Sequence, residues 1–190
     1  MRVGVLALQG DFEAHAAALG RLGVEAVPVR TAEGLEGVDA LVLPGGESTT
    51  MLRLMAVEGL DGAIAARVRA GMPVLATCAG VVLLARKVNP DQPSLGLLDV
   101  AVRRNAYGRQ VASAVVPVRL APALGEPPGM EGVFIRAPRI TRTGPGVEPL
   151  GWRDGDPVLV RQDRIVAATF HPELTADSRV HRLLLETARA

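Results

Sequence analysis

The 190-residue sequence holds a single cysteine, Cys78, so an internal disulfide and a cysteine-based metal cluster are both excluded. It holds a single lysine, Lys87, against twenty arginines. Any Schiff-base chemistry in this chain would have to run through Lys87, and no Gly-x-x-x-x-Gly-Lys phosphate loop is present. No block of five or more like charges occurs and the formal net charge is +1, which argues against nucleic acid and against any partner bound mainly by charge. Apolar runs such as Val3–Leu8 and Leu41–Leu43 fall far short of the roughly 20 residues that span a bilayer, so no membrane span is expected. Met1-Arg2 leads directly into a strand-like run with no targeting pattern, and a cytoplasmic, unprocessed chain is expected. What the sequence does contain is apolar bulk: 48% hydrophobic against 22% charged residues, enough for one substantial core. A single domain over 1–190 is expected.

The first half alternates apolar runs with helix-like stretches. Val3–Leu8, Val24–Val29, Ala40–Leu43 and Pro73–Ala76 read as strands. Phe12–Leu22, Thr49–Val57, Leu60–Ala70 and the apolar run Val81–Ala85 read as helices. That alternation is the signature of an α/β fold with a mostly parallel central sheet and helices on both faces. The second half carries β-rich runs at Ala112–Leu120, Val133–Ile135, Val158–Val160 and Ile165–Phe170, expected as antiparallel additions to the sheet. Ala121–Gly129, with three prolines, reads as an exposed loop, and Ala176–Ala188 reads as a closing helix.

The chemistry gathers where apolar strands end, as it does in open α/β sheets. Pro73-Val74-Leu75-Ala76-Thr77 runs into Cys78, and small residues Ala79 and Gly80 follow. A sharp strand-to-helix turn needs such small neighbours, and it presents its central side chain as a nucleophile. A helix starting at Ala79 would favour the thiolate by pointing its free N–H groups at the sulfur. His171-Pro172-Glu173 follows the run Ile165–Phe170. In an extended segment i and i+2 point the same way, so Glu173 can hold one imidazole nitrogen of His171 while the other faces Cys78. The third piece is Pro44-Gly45-Gly46-Glu47-Ser48-Thr49, directly after an apolar strand. Its glycines free the backbone to turn an N–H toward a ligand, so Gly46 and Ala79 together could supply a two-donor oxyanion hole. The plainer reading of that stretch is a glycine turn with Ser48 capping the next helix. For a lone cysteine the plainer reading is a small buried hydrophobe, and His15 and His181, on expected helices, read as structural.

These motifs together resemble the class I glutamine amidotransferases, with a Cys, His and Glu triad in that chain order. A closer resemblance covers nearly the whole chain. It rests on Val5–Gly10 with His15, Leu43–Thr50, Thr77–Gly80, Arg104–Gln110, Phe134–Pro138 and Phe170–Leu174, which look like the glutaminase subunits of pyridoxal 5′-phosphate synthases. The resemblance implies a glutaminase that releases ammonia from L-glutamine through a Cys78 thioester, with His171 and Glu173 completing the triad. It implies that Gly46, Glu47, Ser48, Arg104, Ile135 and Arg136 hold glutamine, and that Gln9 and Gly10 lie toward a partner. That partner would be a (β/α)₈-barrel synthase subunit in a hetero-oligomer, where ammonia is used to build the vitamin B6 cofactor. Pyridoxal phosphate is then a product of the assembly, and no cofactor is expected in this chain. Two departures stand out: Ala76 where many relatives carry Gly, and Asp11-Phe12-Glu13-Ala14 leading up to His15. Rival readings are a class I glutaminase serving another acceptor, a cysteine hydrolase on a related scaffold, and a non-catalytic redox or regulatory module.

Overall fold

The computed structural model describes residues 1–106 and 113–189. The chain opens with β1 (Arg2–Leu6), α1 (Phe12–Arg21), β2 (Glu25–Val29), α2 (Ala32–Glu36), β3 (Ala40–Leu43), α3 (Ser48–Val57), α4 (Leu60–Arg69), β4 (Val74–Thr77) and α5 (Ala79–Leu84). A strand-rich stretch follows: β5 (Ala85–Asn89), β6 (Leu98–Arg103), β7 (Ser113–Leu120), β8 (Gly129–Ile135), β9 (Arg139–Thr143), β10 (Glu148–Arg153), β11 (Asp156–Gln162) and β12 (Ile165–Ala168). The 3₁₀ turn Pro172–Leu174 and α6 (Arg179–Arg189) close it.

A nine-stranded sheet in the order β2-β1-β3-β4-β12-β11-β10-β7-β8 forms the centre. Its first five strands are parallel and the rest antiparallel. β1, β3, β4 and β12 are buried on both sides because both faces are covered, whereas the edge strand β2 is partly exposed. Along β3, Ala40 and Val42 enter one core while Leu41 and Leu43 enter the other, as a two-residue period demands. Met51, Met55, Leu60, Ile64 and Val81–Leu84 bring α3, α4 and α5 onto one face. Leu19, Val180, Leu183 and Leu184 bring α1 and α6 onto the other. Each such fully buried aliphatic side chain stabilises the fold by about 1.5–3 kcal/mol relative to exposure.

Several expectations need correction. The run Ile165–Phe170 gives a strand only to Ala168, and that strand joins β4 in parallel, with Ala168 opposite Thr77; its antiparallel neighbour is β11. Ala85 is not helical: with ψ at 144° it turns the chain out of α5 into β5. A second, three-stranded sheet β5-β6-β9 packs against the first and was not foreseen. Ala121–Gly129 contains a 3₁₀ turn at Pro122–Leu124, and Gly129 already belongs to β8. Within the expected strand Ala112–Leu120, Ala112 lies outside the described residues.

Candidate active site

β3, β4 and β12 are neighbours, so the segments that leave their carboxyl ends meet. The Gly45-Gly46 loop leaves β3, Cys78 leaves β4, and His171 follows β12. Between them lies a cleft of about 290 Å³, lined by Gln9, Gly10, Asp11, Gly46, Glu47, Ser48, Cys78, Ala79, Val82, Arg104, Asn105, Ile135, Arg136, Pro138 and His171.

Cys78 sits between strand and helix at φ 46°, ψ −103°, a region that L-residues rarely occupy and that costs about 1–3 kcal/mol. The turn is possible because Gly80 carries no Cβ: one placed there would stand 2.2 Å from the Leu43 carbonyl oxygen of β3. The turn does not push the side chain into open solvent. Cys78 is 7% exposed and lies in the cleft wall, with its Sγ 3.8 Å from the Ile135 carbonyl oxygen. Of the five non-glycine residues with positive φ among those described, Cys78, Asn105 and Arg136 line the cleft, so backbone strain is concentrated there.

His171 and Glu173 are both buried. His171 Nδ1 and Glu173 Oε1 are 2.7 Å apart, which fixes Nδ1 as the donor to the carboxylate and leaves Nε2 for the sulfur. The expected extended geometry is not how this contact arises. Pro172 opens a 3₁₀ turn, and the turn folds Glu173 back onto the ring. Burial works against the charged imidazole, yet hydrogen bonds to Cys78 and Glu173 and the negative charge on both raise its pKa from 6.5 to about 10. The pair therefore favours an imidazolium beside the sulfur. Asp11 places Oδ2 3.8 Å from the same Nδ1. Asp11, His171 and Glu173 have the donor set of a metal site, but Nδ1 of His171 is already committed to Glu173.

The glycine loop is tied to the rest of the site. Glu47 N–H donates to Gln9 Oε1 at 2.7 Å, which anchors the loop to the segment after β1. A Cβ on Gly45 would fall 2.3 Å from His171 Cε1, so the loop lies directly against the His171 imidazole. Gly46 has φ 154°, a conformation that suits glycine. The N-cap of α3 is Glu47 and not Ser48. Its carboxylate accepts from the N–H groups of Thr49 and Thr50, and the Thr49 hydroxyl, with help from Thr50 and against some desolvation, holds its pKa down at about 2. Arg104 Nη2 lies 3.4 Å from the same carboxylate, while Ser48 Oγ donates to Gln92 Oε1.

The sequence matches the SNO glutamine amidotransferase family over residues 5–189. The chain belongs to that family. A pyridoxal 5′-phosphate synthase subunit PdxT from Thermotoga neapolitana is 51% identical over 190 residues, covering 100% of both chains. The PdxT of Thermotoga maritima is 52% identical over the same coverage. A crystal structure of a glutamine amidotransferase with 48% identity aligns with a TM-score of 0.91 over 99% of each chain. The structure of PurLQS from Thermotoga maritima, 20% identical, shares the fold at a TM-score of 0.70 over 97% of each chain. The resemblance and the fold class read from the sequence are borne out, and no helix among the described residues is long and apolar enough to cross a membrane.

In this SNO-family chain, every residue expected at the site lines the cleft except Glu173, which stands behind His171. Gln9 and Gly10, expected toward a partner, form part of the cleft wall. Tyr107, Gly108, Arg109 and Gln110 of the Arg104–Gln110 motif lie outside the described residues. Sequence reasoning missed Asp11 and Val82. Asp11 was noted only as a departure, but its place one residue after Gly10 was a usable signal. His15 and His181, expected as structural residues, are both buried and hydrogen-bonded to one another; no sign in the sequence shows that His15 also lies 3.3 Å from Glu173 Oε2.

Proposed function

We propose that this chain is the glutaminase subunit of a pyridoxal 5′-phosphate synthase, that residues 1–190 form one glutaminase domain, and that the cleft binds L-glutamine. The observation that carries the reading is the 2.7 Å His171–Glu173 bond in line with a strained cysteine at a strand end. Cys78 Sγ attacks the side-chain carbonyl carbon of glutamine, and the N–H groups of Gly46 and Ala79 receive the oxyanion. His171, protonated between Cys78 and Glu173, hands its proton to the leaving nitrogen, so ammonia departs and a thioester remains. His171 then takes a proton from water as the water attacks the thioester carbon, and the collapse breaks the C–S bond, releasing glutamate and restoring the Cys78 thiolate beside protonated His171. Glu173 holds the imidazole in the Nδ1–H form and stabilises its charge through both halves.

Gly46, Glu47 and Ser48 form one wall of the glutamine site, and Arg104, Ile135 and Arg136 the other. A guanidinium suits the glutamine α-carboxylate because it binds bidentately. The Glu47 carboxylate, committed to α3 and Arg104, serves chiefly to set the loop. Gln9 and Gly10 face the synthase partner, which is a (β/α)₈ barrel that takes up the ammonia in a cytoplasmic hetero-oligomer. The full-length relatives named as PdxT support this assignment.

The test measures ammonia and glutamate release from glutamine with and without a pyridoxal 5′-phosphate synthase partner, for the natural chain and for Cys78→Ser. Stoichiometric release that rises on adding the partner and disappears in Cys78→Ser is expected. Release that ignores the partner would remove the synthase assignment, and full activity without the thiol would remove the nucleophile.

A further inference from the structure

Behind the triad lies a set of buried polar groups that the mechanism above does not use. His15 on α1 and His181 on α6 are 0% and 1% exposed and stand 166 positions apart in the chain, yet His15 Nδ1 and His181 Nε2 are 3.0 Å apart. His15 Nε2 is 3.0 Å from Thr77 Oγ1 and 3.3 Å from Glu173 Oε2. Glu173 Oε2 and His181 Nδ1 have no hydrogen-bond partner within the described residues.

Those distances select one arrangement of protons. If His15 carried its hydrogen on Nδ1, it would donate to His181 Nε2. The His181 hydrogen would then sit on Nδ1, buried with nothing to receive it, which costs about 1–3 kcal/mol. The same choice would turn a His15 lone pair toward Glu173 Oε2, a carboxylate oxygen lacking any donor. With hydrogens on both Nε2 atoms, each difficulty goes. His181 donates to His15 Nδ1, His15 directs its hydrogen between Thr77 Oγ1 and Glu173 Oε2, and the one unpartnered group is a lone pair. A charged His15 is disfavoured by its burial and by the neighbouring His181 and His171, which hold its pKa well below 6.5.

We propose that His15 is a positioning residue for the triad: in its neutral Nε2–H form, held by His181, it orients the Glu173 carboxylate that in turn orients His171. The reading rests on the glutaminase assignment for its catalytic consequence, but the proton arrangement stands on the geometry alone. The groups facing Glu173 are His171, His15 and, beyond His171, Asp11 and Cys78; Arg21 faces His181.

Two measurements test it. The chain has three histidines, so imidazole ¹⁵N resonances of the natural protein can be assigned with single variants. Neutral Nε2–H forms of both His15 and His181 at pH 7 are expected. An Nδ1–H tautomer or a charged ring at His15 overturns the proposal, whether or not the protein hydrolyses glutamine. The second measurement compares His15→Leu, which keeps bulk but has no N–H, with His15→Gln, which keeps one, in glutamine hydrolysis with the synthase partner present. His15→Leu lowers kcat about 10- to 100-fold, as expected for a lost hydrogen bond to a charged group, with KM within about twofold, and His15→Gln recovers part of that loss. Natural kcat in His15→Leu, or equal losses in both variants, overturns it. Should His15→Leu not fold, the ¹⁵N tautomers decide. A natural chain with the expected tautomers but no glutaminase activity would sink the functional assignment and leave the proton arrangement intact.

Discussion

Gly45→Ala is the sharpest probe of the proposed catalytic cleft, because its effect is set by one contact. The added Cβ would sit 2.3 Å from His171 Cε1, where ordinary contact begins at 3.4 Å, so about 1 Å of movement is needed. The φ of Gly45 lies outside the left-handed region, so the backbone itself accepts alanine and the strain falls on the contact. The loop also packs closely on Gly10, where a Cβ would stand 1.8 Å from the Gly45 carbonyl oxygen, so it has little freedom to shift. Relief of the clash falls largely on the imidazole, which is held by its 2.7 Å bond to Glu173. A misplacement of about 1 Å in a catalytic group costs on the order of 100-fold in rate, or about 2.7 kcal/mol of transition-state stabilisation. Glutamate release under saturating synthase partner, with folding checked by thermal melting, should show kcat/KM lower by about that factor. A folded Gly45→Ala protein within about threefold of natural activity would refute the claim that the loop sets the imidazole position.

Further tests address strain, titration and the scaffold. Cys78→Gly should be more stable than Cys78→Ala by about 1 kcal/mol or more in denaturant unfolding, because φ 46° strains any residue with a Cβ; equal stabilities would mean that the turn is unstrained. His181 has its pKa lowered to about 4 by burial and by Arg21, so the unfolded chain binds a proton that the fold refuses. Stability should fall by about 3 kcal/mol for this group as pH drops from about 6.5 toward 4, with His15 acting in the same sense. His171, raised to about 10, acts oppositely: its contribution is complete below about pH 6.5 and is lost as pH climbs toward 10. Melting temperature should thus peak near neutrality, and a value unchanged from pH 6.5 to 4.5 would contradict the buried neutral histidines. Gly62→Ala, on α4 with nothing within 4 Å of the new methyl, should stabilise by about 0.5–1 kcal/mol with glutaminase activity intact; destabilisation would show that the helix tolerates no Cβ there.

The parallel half of the sheet and its helices were legible because their signal is strong and local. Ala40–Leu43 is apolar throughout and buried throughout, and Phe12, Leu60 and the residues that follow them announce helices at their observed starts. β5 was not legible: Ala-Arg-Lys-Val-Asn buries only Ala85 and Val88, and Ala85 read as the end of the preceding helix. α2 spans five residues, too few for a helical period to register. At the site, Cys78, His171, Glu173 and Gly46 were visible because each follows an apolar run at a strand end. The capping role of Glu47 was not, since Ser48 is the commoner residue for that position and nothing local says that Glu47 folds over Thr49 and Thr50. His15 and His181 were invisible as a pair for a different reason. Their contact is created by tertiary packing of the first and last long helices, and no pattern within either helix encodes it.

The strand that completes the middle of the sheet is the last one made. β12 fills the slot between β4 and β11, and His171 and Glu173 follow just behind it in the chain. On the ribosome, Cys78 is therefore synthesised more than ninety positions ahead of His171, its proposed base. A chain that ends after Cys78 but before position 171 holds Cys78 and His15 but neither His171 nor Glu173. On the proposed mechanism such a fragment lacks the groups that activate its thiol and should not hydrolyse glutamine.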